Sequence, residues 1–420
     1  MIKAITGTKD ILPLDIPRWK LLESVVQKKM GSYNYKEIRT PVFEETALFA
    51  RGIGEATDIV SKEMYTFLDK GGTSLTLRPE MTASVVRSFI EHSLSAKQSL
   101  NKLFYVAPMF RQERPQAGRF RQFHQFGAEA IGSKAPQLDA EIIIIAYQIL
   151  NELGLKNLSV KINSLGVPES RENYKLILKE YLSDKITLLS EESKKRYETN
   201  ILRIFDSKEE NDKQVMKNAP LLIDHLDDDS LAHFEEVKKI LTIAGIPFEE
   251  DAALVRGLDY YTNTTFEIVS GSVGSQSALC GGGRYDLLIE QLGGKPTPGV
   301  GFAAGMERIL LACENERAFE DPVEKIDLYI ARIDENLTDN VYELALYFRQ
   351  QGLAVEIDYM QRSVKAQMRE ANKLNSSFVL FGGGDEYKEG KLQLKNMSDG
   401  EQQLFGLDEK QSILHKITGK

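Results

Sequence analysis

Phe110-Arg111-Gln112-Glu113-Arg114-Pro115-Gln116-Ala117-Gly118-Arg119-Phe120-Arg121-Gln122-Phe123-His124-Gln125-Phe126-Gly127-Ala128-Glu129 is the stretch on which the reading of this chain turns. It continues an apolar, aromatic run from Leu103 to Arg111, and Pro115 to Gly118 are residue types that reverse a chain, so a β-hairpin is predicted. On the return strand a side-chain period of two puts Arg119, Arg121, Phe123, Gln125, Gly127 and Glu129 on one face. Phe120, Gln122, His124, Phe126 and Ala128 take the other. The first face grades from cations through an amide and a gap to a carboxylate, a pattern suited to a triphosphate. The plainer alternative is an edge hairpin whose charges discourage edge-to-edge association. Against it, Phe120, Phe123 and Phe126 favour burial on both faces, and buried arginines need anionic partners. A guanidinium fork matches phosphate geometry.

Working outward, 420 residues exceed what one core usually supports, so two or three domains are expected. With 42% hydrophobic and 27% charged residues, the composition is that of a soluble globular protein. A formal net charge of -9 argues against a generally basic nucleic-acid coat while leaving room for a local basic surface. Cys280 and Cys313 lack CxxC spacing and the five histidines are scattered, so neither a disulfide framework nor a protein-held metal is expected. Met1 to Gly7 contain no apolar signal region, and the longest apolar stretch, Ile142 to Leu150, is too short for a bilayer. The expectation is a cytoplasmic protein with no membrane partner.

Helical spacing from Arg18 to Met30 ends at Gly31, and Glu37 to Phe43 read as a strand interrupted by Pro41. Residues 168–241 turn polar with helical apolar spacing at Tyr174, Ile177, Leu178 and Tyr181, which suggests a helical insertion; a plain surface excursion is the alternative. Thr265 to Val269 read as a strand and Gly281-Gly282-Gly283 as a turn with close backbone approach. After an acidic linker at 320–325, strands and helices alternate as in a compact α/β domain.

Common nucleotide signatures fail. Gly293-Gly294-Lys295 is followed by Pro296 and lacks the hydroxyl of a phosphate loop, and Gly299 to Gly305 is one residue too long for a dinucleotide fingerprint. A phosphate site must then use arginine side chains, and three blocks offer them: Arg111 with Arg119, Leu254-Val255-Arg256-Gly257-Leu258-Asp259-Tyr260-Tyr261, and Gly305-Met306-Glu307-Arg308. Together these resemble the class II aminoacyl-tRNA synthetases, with Phe110 to Glu113 similar to the second class-defining motif, Gly299 to Arg308 to the third and Pro41 with its flanks to the first. Leu254 to Tyr261 and Leu279-Cys280-Gly281-Gly282-Gly283-Arg284-Tyr285-Asp286 are similar to blocks peculiar to the histidyl-tRNA synthetases. Thr6 to Pro13 and Leu77 to Glu80 extend the resemblance over nearly the whole chain.

The resemblance implies an α/β (α+β) fold class: an antiparallel-sheet catalytic core over 1–322 with the insertion at about 168–241, and an anticodon-binding α/β domain over 326–420. It also implies a cytoplasmic homodimer that activates L-histidine with ATP and transfers it to tRNA(His), with Mg2+ carried on the nucleotide. By resemblance Arg111 holds the α-phosphate, Arg119 and Arg308 the outer phosphates, Glu113 the adenine end, and Arg256 both the substrate carboxylate and the α-phosphate. Glu80, Thr82 and Gln125 fall to the ammonium, Glu129 and Tyr261 to the ring nitrogens, and Tyr260 and Tyr285 to the pocket. Arg114 and Gln116 at the hairpin tip fall to the tRNA acceptor end. Arg362, Lys365, Arg369 and Lys373 form a basic stripe at helical spacing that suits phosphates, although solvated helix faces are common.

Thr6 stands where that family commonly has arginine, Met81 where glycine follows the motif glutamate, and Phe381-Gly382-Gly383-Gly384 is unusually rich in glycine. The rival readings are a catalytically silent synthetase-like regulatory subunit of the phosphoribosyltransferase that begins histidine biosynthesis, and a general RNA-binding protein on a borrowed fold. Such regulators usually lose catalytic arginines and the anticodon module. The RNA-binding reading has no need of an ammonium and imidazole constellation.

Overall fold

The structure, a computed structural model, describes residues 1–419 apart from 55, 56, 58, 256–259, 275–277 and 319–324, and at 206 the backbone alone. The chain divides into two compact units, Met1–Glu320 and Asp321–Lys420.

In chain order the first unit has strands β1 (Lys36–Glu37), β2 (Phe43–Glu45), β3 (Tyr65–Leu68), β4 (Ser74–Leu77), β5 (Asn101–Phe110), β6 (Gln122–Ile131) and β7 (Leu158–Ser164). Then come β8 (Phe248–Glu250), β9 (Thr262–Ser270), β10 (Ala278–Arg284) and β11 (Gly299–Gly305). Eight of them form one sheet in the order β1-β5-β6-β11-β10-β9-β7-β8, and β2-β4-β3 form a small one. From β5 to β7 all neighbours are antiparallel, while β1 and β8 add parallel edges.

The opening hairpin is β5 and β6, paired from Asn101 opposite Ile131 to Phe110 opposite Gln122. Its alternation sorts the two faces as read from the sequence. Phe126 and Ala128 join the main core, with Phe266, Ile268 and Phe302 from neighbouring strands. The helix Pro136–Glu152 covers that side; its buried face includes Ile142, Ile145, Ile149 and Leu150, the stretch too short for a membrane. Each such side chain withdrawn from water stabilises the fold by roughly 1.5–3 kcal/mol. The opposite face of β6 carries Phe123, Gln125 and Glu129. Arg119 and Arg121 lie before β6, in the connection, where Gln116 and Arg119 close a tight bridge around Gly118 at φ 70°.

Several expectations need correction. The first helix runs Ile16–Ser32, straight through Gly31, and Asn34 at φ 62° makes the left-handed turn instead. The strand read over 37–43 is two short strands in different sheets, with Pro41 between them. Gly281 to Gly283 are not a turn but the middle of β10. Close approach is the reason for glycine there, since a Cβ on Gly282 would collide with the Gly301 carbonyl and lie 2.7 Å from Phe302 Cα.

The helical run is present: Pro168–Leu182, Glu191–Thr199, Glu210–Met216 and Asp228–Ile243. Inside it Asp212 accepts hydrogen bonds from the Ser190, Ser193 and Ser207 hydroxyls at 2.7, 2.6 and 2.5 Å, so a buried carboxylate ties three segments together. Its last helix differs from the others, because Phe234, Val237 and Leu241 pack into the main core while Leu178, Leu182 and Ile201 belong to a second one.

The second unit has β12 (Leu328–Arg332), β13 (Val355–Ile357), β14 (Phe378–Gly382), β15 (Lys391–Asn396) and β16 (Gln402–Gly406) in the order β13-β12-β14-β15-β16. Its first three strands are parallel and its last two pairings antiparallel. Helices Thr338–Gln350 and Lys410–Thr418 bury Phe348 and Ile413 against one face, and Val364–Lys373 buries Ala371 against Tyr329 and Val379 on the other. In the basic stripe Arg362 precedes the helix and is paired with Asp358 and Glu370 at 2.6 and 3.1 Å; Lys365, Arg369 and Lys373 are exposed. Among the described residues, no helix is long and apolar enough to cross a membrane.

Candidate active site

A cavity of about 290 Å3 opens on the face of the large sheet that carries Phe123 and Gln125. Ten residues singled out in the sequence line it: Glu80, Thr82, Arg111, Glu113, Arg119, Gln125, Tyr260, Tyr261, Tyr285 and Arg308. They come from β6, the residue after β10, the helix following β11, the loops before β9 and after β4 and β5, and the start of the helix Thr82–Glu91. Arg114 and Gln116 are exposed on the hairpin tip and do not line it. Arg256 falls outside the described residues.

One end of the cavity is cationic. Arg111 lies over the Phe123 ring at 5.4 Å and donates from Nε to the Pro79 carbonyl at 2.9 Å, which fixes its plane. Arg308 donates to the Ala278 carbonyl at 2.8 Å. Burial, and then the nearby Arg119, push the Arg308 guanidinium down from its ordinary value. Glu113 partly offsets this crowding, 3.1 Å from Arg119 and 3.6 Å from Arg111. Arginines that crowd one another around one carboxylate make a site that gains by taking up an anion.

The other end is buried and already paired. Glu129 has no exposed surface; its Oε1 accepts from Thr82 Oγ1 at 2.8 Å and its Oε2 from Tyr285 Oη at 2.6 Å. A Cβ on Gly301, opposite Glu129 on β11, would collide with Glu129 Oε2, so glycine there makes room for the carboxylate. Burial raises the Glu129 carboxyl to about 8, against the two hydrogen bonds that favour its charged form. Glu80 is likewise raised by burial, while its two oxygens accept from the Thr82 and Ala83 amides at 2.7 and 2.9 Å at the start of helix Thr82–Glu91. Tyr260 packs between Tyr261, tilted at 52° with ring centroids 4.8 Å apart, and Tyr285, edge-on at 6.0 Å. Gln125 lines the cavity, and its Oε1 is buried with no hydrogen-bond partner. Thr82, expected at the ammonium, lines the cavity; its hydroxyl donates to Glu129 and keeps its lone pairs to accept.

Sequence reasoning missed Phe123, Glu267 and Cys280 as lining residues. Glu267 had a readable signal: it is a carboxylate inside the otherwise apolar run Thr265 to Val269. Glu307, in the block that carries Arg308, also lines the cavity. It accepts from the His124 amide at 2.9 and 3.0 Å, which ties the helix after β11 to the hairpin.

Residues 7–309 match the family model "Histidyl-tRNA synthetase" and residues 327–417 match "Anticodon binding domain". The chain belongs to the histidyl-tRNA synthetase family. It is 49% identical over 417 residues to the histidine–tRNA ligase of Thermoanaerobacter sp. (strain X514), covering 99% of this chain and 100% of that one. Among solved structures, an apo histidyl-tRNA synthetase from S. aureus aligns with a TM-score of 0.84 at 40% identity, over 99% of this chain and 100% of that one. An ATP phosphoribosyltransferase regulatory subunit/histidyl-tRNA synthetase from Bacillus halodurans aligns with a TM-score of 0.66 at 22% identity, over 91% and 99%, a likeness of fold alone. Full-length kinship at 49% identity favours a histidine–tRNA ligase over the regulatory subunit. As a histidyl-tRNA synthetase family member the chain is an aminoacyl-tRNA synthetase, with the α/β core and α/β second unit of that fold.

Proposed function

We propose that the cavity of the first unit joins the carboxylate of L-histidine to the α-phosphorus of ATP, expels pyrophosphate, and passes histidine to the 3' end of tRNA(His) with release of AMP. The observation that carries this reading is that one cavity has arginines at one end and Glu80, Gln125 and three tyrosines at the other, with Tyr285 donating to the buried Glu129, which does not itself line the cavity. The attacking carboxylate is already ionised at neutral pH, so the protein has to position it and stabilise charge rather than supply a general base.

In this reading Arg111, held flat by Phe123 and the Pro79 carbonyl, takes the α-phosphate together with Arg256. Arg119 and Arg308 exchange Glu113 and each other for the outer phosphates, which frees Glu113 for the adenine end. Mg2+ would come with the nucleotide and supply positive charge to its phosphates, and Glu267 in the same cavity would be the carboxylate placed to hold it. Glu80 and Gln125 take the ammonium. Glu129 and Tyr261 take the imidazole nitrogens, one accepting where the other donates. Thr82 and Tyr285 act through Glu129 by holding both its oxygens, with Tyr260 lining the pocket. Sites that hydrogen-bond their substrate reject analogues lacking those groups by about 10⁴ to 10⁵.

Exposed Arg114 and Gln116 suit the tRNA acceptor end, and Lys365, Arg369 and Lys373 of the second unit suit its phosphates. A division into a catalytic 1–322, a helical insertion of 168–241 and an anticodon-binding 326–420 fits these assignments. A homodimer is supported by the exposed Phe43, Phe67 and Leu68 on the small sheet, and a cytoplasmic location by the soluble composition. Transfer of labelled histidine to a tRNA(His) transcript tests the function; folded protein that forms no histidyl-tRNA with ATP and Mg2+ would refute it.

A further inference from the structure

The tyrosines of the pocket sit beside the two places where the helical run leaves and rejoins the sheet. Tyr261 lies one residue before β9, off its ladder, and its carbonyl accepts a hydrogen bond at 2.9 Å from Arg171 Nη1, in the first turn of helix Pro168–Leu182. Two residues on, Asn263 holds a left-handed φ of 44°. Its amide donates to the Gly166 carbonyl at 2.9 Å and its carbonyl accepts from the Leu165 amide at 2.7 Å. Its side chain lies 3.1 Å from the hydroxyl of Ser230, in the helix by which the chain returns.

Asp227 closes the loop by accepting from Ser170 and Ser230 at 2.8 and 2.7 Å, which binds the outgoing helix to the returning one. Packing tells the same story. Tyr174, Leu178 and Leu182 of the outgoing helix share one apolar cluster with Tyr260, Tyr261 and Tyr285.

We propose that Arg171 is a positioning residue for the amino acid site, tying the first helix of the run to Tyr261 so that the placement of the helices sets the affinity for histidine. The inference rests on the proposed contact of Tyr261 with the imidazole. A charged donor on a backbone carbonyl fixes both the carbonyl plane and the direction in which the tyrosine leaves the chain. Linkage makes the effect reciprocal: if helix placement alters histidine affinity, histidine must alter the opening of the helix.

The test uses the full chain and histidine-dependent pyrophosphate exchange, which needs no tRNA. Arg171→Met is expected to raise KM for histidine about tenfold while KM for ATP and the melting temperature stay put, and Arg171→Lys to recover most of the loss. In the unsubstituted protein, histidine is expected to slow amide hydrogen exchange across Pro168–Leu182, and in Arg171→Met to leave it unchanged. Tyr261→Phe separates the two claims. If it raises KM for histidine and neither Arg171 variant does, the tie is refuted and the pocket reading survives. If it leaves that KM unchanged, the pocket reading fails and takes the tie with it. Equal rises in both KM values with a lowered melting temperature, or histidine protection that persists in Arg171→Lys and Arg171→Met alike, would make Arg171 a structural residue only and overturn the proposal.

Discussion

The two ends of the cavity solve opposite problems. At the cationic end the side chains of Arg111 and Arg119 are 20% and 34% exposed, and they share Glu113 in pairings that an incoming anion can replace. At the buried end Glu129 has no exposed surface, Tyr285 is 1% exposed, and each oxygen of Glu129 already has a donor. A site that re-pairs on binding gains its energy from charge, which any triphosphate can supply. A site paired in advance holds its groups in fixed positions, and its discrimination falls to the buried acceptor left without a partner, Gln125 Oε1, which a ligand lacking a donor would leave unmet. In the proposed reading, affinity for the nucleotide and choice of amino acid fall to separate ends.

The largest effect should follow removal of the cation nearest the reacting centre. Arg111→Ala is expected to slow adenylate formation by about 10² to 10³-fold in single-turnover experiments, with histidine binding little changed. If histidine binding fell instead, the division of labour between the ends would be wrong.

The converse substitution, Glu129→Gln, should weaken histidine binding by about 10- to 100-fold while KM for ATP holds, as measured by titration and exchange. Below that in size stands Thr82→Val, which removes one of the two donors to Glu129 and is expected to cost histidine affinity about five- to tenfold. An effect of Thr82→Val on ATP rather than histidine would contradict its placement.

The smallest effect is on stability. The Glu129 carboxyl stands at about 8 in the folded chain against an ordinary 4.5, so between those values the folded state keeps a proton that the unfolded state has lost. Its contribution is therefore full below about 4.5 and declines as pH rises through about 8. Glu80, also raised, adds to the same slope. Melting of the ligand-free protein should fall across this window, and Glu129→Gln should flatten the fall; an unchanged slope would show that burial does not hold the proton there.

The two ends were also unequally legible. Alternation along one strand was enough to place Phe123, Gln125 and Glu129 on the cavity face and Phe126 and Ala128 in the core, because side-chain period is local. The arginines could be gathered only as separate blocks, and the resemblance to a family joined them. What no spacing carries is the pairing of Glu129 with Tyr285 and Thr82, or of Arg171 with Tyr261, since those partners lie 156, 47 and 90 residues apart in the chain. Gly281 to Gly283 misled for a physical reason: glycine serves a turn and a close strand approach equally well, and only the opposing Gly301 carbonyl distinguishes them. The short strands around Pro41 split between sheets because the chain changes layer there, which composition does not record.

The most direct test of the account is amino acid-dependent exchange of labelled pyrophosphate into ATP, run with Mg2+ across the standard amino acids in turn. Rapid exchange is expected with histidine and none above background with the others. Folded protein that exchanges with no amino acid, or with another in preference to histidine, would contradict it.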